Sequence, residues 1–477
     1  MNALQYQISF TDQASSNFSN VIEHVNEISN KWSSCTTKAE QLKMGQVFTS
    51  SAMSQQLCSL LPHSYVTTDE NTLIADPEAG TGALSTMLAS HIYSDKPQAL
   101  NVLGFETDKR LYDDWDATWK LFQESASHNI DATLLEDFTS EANTLLAGGL
   151  LEGFKRPDYV VTNPPYKKLL KNSELGKVFT KHDLPISNYY SAFLALAVSW
   201  LEDNGKLLAI IPLSFCSSDY FKKFRQWLLK RCNINHIALY HSRSCFNNVL
   251  WENILLYATK KTPGTSDNTE VRLTVSNDPL STPDYELMLS YNDIIKVDGF
   301  LLPRTPDDIA LINTNRKRTH TFADLGLSMS TGKVELHRLK DGDNTKIIYP
   351  KDFANASFVW NETTKPRYVT ADKKQLLELP ENGDGFVLLK RISSNDGDNP
   401  RRIHPVWLSR ETVSEASIAI DNHVQYIHSN NKAMSKAKGY ELMKFLQSDE
   451  ANAMMVACCG TTQLNKSDLF KLKLPKL

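Results

Sequence analysis

The 477-residue sequence predicts an α/β architecture: a doubly wound, mostly parallel sheet of seven strands, followed by a C-terminal region of mixed α/β character. Two observations carry this. Between Thr72 and Lys261 short apolar runs alternate with segments of helical spacing, and several runs end directly in acidic, amide or glycine-rich turns. Strands that alternate with helices form parallel sheets, and such sheets bind their ligands beyond the C-terminal strand ends. The chemistry is therefore sought just after the strands.

Taken in order, Phe18, Val21, Ile22, Val25 and Ile28 recur at three- and four-residue intervals and predict one amphipathic helix in an N-terminal arm, residues 1–40. The seven strands are TLIAD from Thr72, NVLGF from Asn101, ATLLE from Ala132, DYVVT from Asp158, KLLAIIP from Lys206, NHIALYH from Asn235 and ENILLYATK from Glu252. Helical spacing returns at Tyr190 to Leu201 and Ser218 to Leu229. The turn-rich KKTPGTSDNTE from Lys260 ends the pattern, so a boundary is expected between Thr262 and Gly299. It is drawn at 275/276, giving domains 41–275 and 276–477.

Composition narrows the class. A chain that is 41% hydrophobic and 22% charged is globular, and no apolar run approaches the ~20 residues of a membrane span. The start, MNALQYQISFTDQASS, has neither a basic nor an apolar leader segment, so the cytoplasm is the expected location. The seven cysteines, Cys35, Cys58, Cys216, Cys232, Cys245, Cys458 and Cys459, show no CxxC pair or zinc spacing, so free thiols and no metal are expected. The net charge of −4 conceals an asymmetry. From Leu301 onward there are 26 basic and 21 acidic side chains, a net +5, and the first 300 residues carry −9. Such a distribution could orient the chain on nucleic acid, although chance gives the same imbalance often enough.

The first strand runs into ADPEAGTG. Gly80 and Gly82 permit a tight turn and a close backbone approach, and a helix N-terminus follows, which together suit an adenosine-containing cofactor. An ordinary strand-to-helix turn would look similar. The second strand ends in GFETD, placing Glu106 and Thr107 where a carboxylate can accept from ribose hydroxyls. After the third strand, Asp137 can accept an amino proton while Phe138 covers a purine. After the fourth comes Asn163-Pro164-Pro165-Tyr166. The two prolines stiffen the segment, so that the Asn amide oxygen and a proline carbonyl form a pair of acceptors for one exocyclic amino group beside an aromatic face. A proline-stiffened loop with no chemical role is the plain alternative.

In this order, DPEAGTG, the acidic tip at Glu106, Asp137-Phe138 and NPPY resemble the gamma-class N6-adenine DNA methyltransferases of restriction-modification systems, the Eco57I-type methylases among them. KMGQVFTSSAMSQQL (Lys43 to Leu57), SDYFKKFRQWLL, HSRSCFNNVLWENILL and, toward the C-terminus, STGKVE, DNHVQYIH and CCGTTQLNKSDLFKLKLP extend the likeness from about Gln41 to the end. The resemblance implies a Rossmann-like class I methyltransferase domain and a C-terminal target recognition domain. It implies S-adenosylmethionine as cofactor, held by Phe48, Thr49, Asp76, Pro77, Glu78, Ala79, Gly80, Gly82, Glu106, Thr107, Asp137, Phe138 and Asn163. Asn163 and Pro164 would accept the protons of a flipped-out adenine, within a loop shaped by Pro165. Tyr166 and Phe246 would sandwich the base, with the Tyr166 ring rather than its hydroxyl at work. Lys167, Lys168, Arg316, Lys317, Arg318, Arg401 and Arg402 would meet DNA. Where many members carry glycine this chain has Glu78, which could face the cofactor's amino group or point away.

The expected partners are double-stranded DNA, bound by a monomer, and a separately encoded restriction endonuclease, because no nuclease constellation is visible. Two other readings stay open: an amino-group methyltransferase acting on RNA or protein, and a specificity subunit without activity. The basic C-terminal region weighs against the first, and intact Asp76, Glu106, Asp137 and Asn163 weigh against the second.

Overall fold

The computed structural model describes residues 18–37, 40, 48–62, 71–93, 99–126, 129–184, 186–241, 252–335, 341–354, 357–393, 401–458 and 463–477. The chain divides into two compact units, residues 1–216 with 220–299 and residues 300–477 with 217–219. The first unit therefore runs to Gly299, well past the expected 275/276 boundary.

The first unit is built on one sheet. Its strands are β1 (Asn71–Asp76), β2 (Ala99–Phe105), β3 (Ile130–Leu135), β4 (Tyr159–Thr162), β5 (Lys206–Pro212), β6 (Cys232–Tyr240), β7 (Asn253–Lys260), β8 (Glu270–Ser276) and β9 (Tyr285–Ser290). They lie in the order β3-β2-β1-β4-β5-β7-β6-β8-β9. The first five are mutually parallel, whereas β7 runs antiparallel to both β5 and β6. The expected seven strands are thus corrected to nine. β8 adds to β6 in parallel, and β9 closes that edge by pairing antiparallel with β8. An unpaired row of amides along β6 is satisfied in this way.

β1, β4 and β5 are apolar along nearly their whole length because both sheet faces are covered. The helix Ala83–Tyr93 is buried almost all round. Outside it lies Tyr112–Ser125, and the N-terminal helix Ser19–Cys35 contributes Val21, Val25 and Ile28 to the core. Phe18 stacks on Phe122 at a centroid distance of 4.4 Å. Trp115 fills the space that two glycines leave open. A Cβ at Gly104 would lie 2.5 Å from its ring, and one at Gly82, where φ is +86°, would lie 3.3 Å from it.

The second unit is mixed. One antiparallel sheet contains Leu327–Thr331, Val424–Ser429, Gly385–Lys390 and Val406–Ser409, and another joins Tyr368–Val369, Asp341–Ile348, Ser417–Ile420 and Leu376–Glu378. The helices Pro306–Arg316, Lys436–Leu446 and Asp449–Cys458 belong to the same unit, and Leu442, Leu446 and Met455 are buried with Val387 and Ile427 in one core. Among the described residues no helix is long and apolar enough to cross a membrane, and no cluster of three metal-ligating side chains occurs. Cys35, Cys58, Cys216, Cys232 and Cys458 are free thiols, while Cys245 and Cys459 lie outside the described residues.

Candidate active site

The C-terminal ends of β1 to β4 open onto one cleft of about 290 Å³. β1 delivers the turn Pro77-Glu78-Ala79-Gly80. Gly80 is left-handed, with φ of +54°, and a Cβ there would meet nothing within 4 Å, so the turn faces open space suited to a ligand. The turn is tied to β2, since the Ala79 amide donates to the Phe105 carbonyl at 2.9 Å and the Gly80 amide donates to Glu106 Oε2 at 3.0 Å. The other carboxylate oxygen of Glu106 accepts from the Asp108 amide at 2.7 Å. After β3, Asp137 caps a short helical turn by accepting from the Thr139 amide and hydroxyl, both at 2.8 Å.

Phe48, Thr49, Pro77, Glu78, Ala79, Gly80, Glu106, Thr107, Asp137, Phe138, Asn163 and Pro165 all line the cleft, as do Lys167, Tyr189 and Phe193. Tyr189 and Phe193 were not singled out from the sequence. They stand four apart on the helix Tyr189–Trp200, a spacing that puts them on one face. Lys167 turns toward them, its Nζ 4.5 Å from the Tyr189 ring centroid, while Lys168 is exposed. Gly82 and Asp76 do not line the cleft. Gly82 faces Trp115 instead, and the Asp76 side chain is sealed beneath the turn.

Three carboxylates gather at the root of this turn, and burial raises all of them. Asp76 is fully buried, neither oxygen has a partner in ordinary hydrogen-bonding geometry, and its pKa is pushed up to about 7 against the pull of the Ser85 hydroxyl and amide. Glu78 is raised well above the carboxylate range, first by burial and then by Asp76 and Glu106, while Thr162 opposes the shift. Its Oε2 accepts from the Thr162 hydroxyl and its Oε1 is buried without a partner. The carboxylate therefore reaches under the fourth strand's end, which answers the question raised by a glutamate where glycine is frequent. Glu106 is raised by burial, with the Asp108 and Gly80 amides opposing.

These shifts predict a pH dependence. In the unfolded chain Asp76 ionises near pH 4, whereas in the fold it keeps its proton to about 7, so folding takes up a proton between these values. Its contribution to stability falls as pH rises through that window and then levels off, at a cost on the order of 4 kcal/mol. Asp76→Asn should therefore raise the melting temperature by several degrees at pH 8 and by much less at pH 5. Equal gains at the two pH values in thermal melts would rule out this cause.

The NPPY loop is fixed on several sides. The Asn163 Nδ2 donates to Thr49 Oγ1 at 3.0 Å, and its Oδ1 accepts from the Tyr166 hydroxyl at 2.9 Å. The same hydroxyl lies 3.2 Å from the Ile210 carbonyl on β5. Burial, with nearby Glu78, keeps the phenol protonated. Pro164 is buried, and Asn163, Pro165 and Tyr166 are half-buried. Downstream, the Tyr189 amide donates to the Lys167 carbonyl at 2.9 Å, pinning the loop's exit. Phe246 lies outside the described residues.

Three of the basic residues of the second unit have partners within it. Arg318 makes a two-pronged pair with Glu450, at 2.6 and 2.8 Å, above the Phe445 ring. Arg401 reaches Asp449 at 3.1 Å and the Gln447 and Ser448 carbonyls. Arg402 is 3% exposed and donates to the Ser393 carbonyl at 2.7 Å. All three guanidiniums thus have hydrogen-bond acceptors within the protein. Arg316 is half-buried at the end of its helix, and Lys317 is exposed.

A model of the Eco57I restriction-modification methylase family matches residues 81–246, the stretch from the glycine turn through β6. The chain is similar to the type II methyltransferase M.BsuBI of Bacillus subtilis, 29% identical over 453 residues, which are 91% of this chain and 88% of that one. It is likewise similar to M.PstI of Providencia stuartii, 28% identical over 461 residues, covering 91% and 87% of the two chains. Among solved structures, the type IIG restriction endonuclease BpuSI aligns with 90% of this chain and 57% of its own, at 15% identity and a TM-score of 0.44. The family match covers the cofactor and catalytic turns of the first unit, and the two relatives run along nine-tenths of the chain, so the likeness to restriction-modification methylases extends over both units.

Proposed function

We propose that the protein transfers a methyl group from S-adenosylmethionine to N6 of a flipped-out adenine in duplex DNA, acting beside a separately encoded restriction endonuclease. The observation that carries this reading is the position of Asn163, at the end of β4, on the same cleft as the glycine turn and Glu106. Relatives similar to the chain are named type II methyltransferases, which supports the assignment.

The residues fit the cofactor. Glu106 is held at the cleft by backbone amides only and can accept from the two ribose hydroxyls. Asp137 lines the cleft and can accept from the adenine amino group, with Phe193 and Pro165 as apolar walls. When bound, the cofactor supplies an electrophilic methyl group.

What remains is the protein's part. The amino nitrogen of adenine is a poor nucleophile because its lone pair is conjugated with the ring. Asn163 Oδ1 and the Pro164 carbonyl accept hydrogen bonds from its two N–H groups, so that the nitrogen becomes pyramidal as it attacks and its developing positive charge faces two fixed dipoles; one of the two protons is then lost to solvent as the new N–C bond is completed. An amide oxygen has two lone pairs, so Oδ1 accepts from the substrate while keeping the Tyr166 bond. The adenine must first leave the helix, at a cost of about a few kcal/mol, which stacking on the Tyr166 ring offsets.

The Tyr166 hydroxyl has work that its sequence context did not reveal. Tyr166→Phe is expected to bind DNA normally and to lower kcat about fivefold, the worth of one hydrogen bond to the catalytic amide. Steady-state kinetics on duplex DNA measure this, and an unchanged kcat would leave the ring as the whole of its role.

The proposal is tested by offering labelled S-adenosylmethionine with unmethylated duplex DNA, ribosomal RNA and a release factor in parallel. Label in DNA alone is expected. Label only in RNA or protein would move the substrate assignment to the amino-group methyltransferases of those acceptors.

A further inference from the structure

We infer that Thr49 is a positioning residue for methyl transfer, fixing the plane of the Asn163 amide. This rests on the reading of Asn163 as the acceptor of the substrate amino protons. The resemblance assigned Thr49 to the cofactor, but the geometry gives its hydroxyl oxygen to Asn163 Nδ2, at 3.0 Å across 114 residues of sequence.

The location of Thr49 is itself fixed. The next residue, Ser50, caps the helix Ser51–Ser59 through a bond from the Met53 amide, and Met53, Leu57 and Cys58 anchor that helix in the core of the first unit. On its other side the amide is held by Tyr166, which also contacts the Ile210 carbonyl on β5. The amide thus hangs between two elements far apart in sequence, one at each polar atom. An Asn side chain is otherwise soft about its last torsion, where two broad orientations are accessible. Turned over, it would offer N–H groups to a substrate amino group that is itself a donor. With Nδ2 engaged by Thr49, the second lone pair of Oδ1 faces the cleft.

Thr49→Val keeps the shape and removes the acceptor, whereas Thr49→Ser keeps the acceptor. With wild-type protein active on DNA, Thr49→Val is expected to lower kcat about tenfold. KM for DNA and the cofactor Kd, read by titration calorimetry, should stay within about twofold, and Thr49→Ser should recover most of the loss. Wild-type kcat in the Val variant would overturn the inference. So would a loss that saturating cofactor repairs, which returns Thr49 to cofactor binding, or a Ser variant as slow as the Val variant. A wild-type protein that methylates no acceptor would remove the reading of Asn163, and the inference would fall with it.

Discussion

Replacing Asn163 with alanine is expected to reduce methyl transfer by about a thousandfold or more while leaving DNA and cofactor affinity nearly unchanged. The residue touches the substrate nitrogen only through protons that become acidic as the bond forms, so its contribution is concentrated in the transition state. The structure sharpens this. The Oδ1 atom is oriented before any substrate arrives, by Tyr166 at 2.9 Å and through Thr49 at the amide nitrogen, so no reorganisation is required at the moment of reaction. Alanine also leaves the Tyr166 hydroxyl with the Ile210 carbonyl as its remaining partner, which keeps the ring in place for stacking. Single-turnover rates together with a DNA mobility-shift titration separate the two effects. A variant retaining a tenth of the rate would transfer the main catalytic burden to the Pro164 carbonyl.

The second large effect is expected at Glu106. Glu106→Ala should weaken cofactor binding by about a hundredfold, because two hydrogen bonds to the ribose, each worth ~1–1.5 kcal/mol, are lost together. The unliganded fold sets the baseline. The carboxylate accepts from the Gly80 and Asp108 amides, so removal also leaves two backbone donors at the cleft without their acceptor and loosens the glycine turn. Glu106→Gln, which retains one acceptor oxygen, should fall between alanine and wild type. Calorimetric titration of the three proteins orders them, and equal affinities would place the ribose elsewhere in the cleft.

Much of this site was legible because its determinants are local. Gly80 is needed for a left-handed turn, prolines stiffen the segment after β4, and apolar runs fully covered on both faces form parallel strands. These are short-range consequences of residue type. What escaped the sequence depends on contacts between distant residues. Arg318, Arg401 and Arg402 read as candidates for DNA contacts, yet they have acceptors in the segment 447–450 or at the Ser393 carbonyl, and no local pattern announces such pairing. The burial of Asp76 and the reach of Glu78 to Thr162 arise from how β1 and β4 lie side by side. β8 and β9 were missed for a related reason. The turn-rich stretch after Lys260 resembled a linker, whereas the free edge of β6 recruits the next apolar segment, EVRLTVS, and extends the sheet.

The most direct measurement is mass-spectrometric nucleoside analysis of duplex DNA incubated with S-adenosylmethionine and either the wild-type protein or Asn163→Ala. The chemistry assigned to Asn163 requires N6-methyladenine at one sequence context with the wild type and essentially none with the variant. Methylated cytosine, or N6-methyladenine formed equally by both proteins, would contradict it.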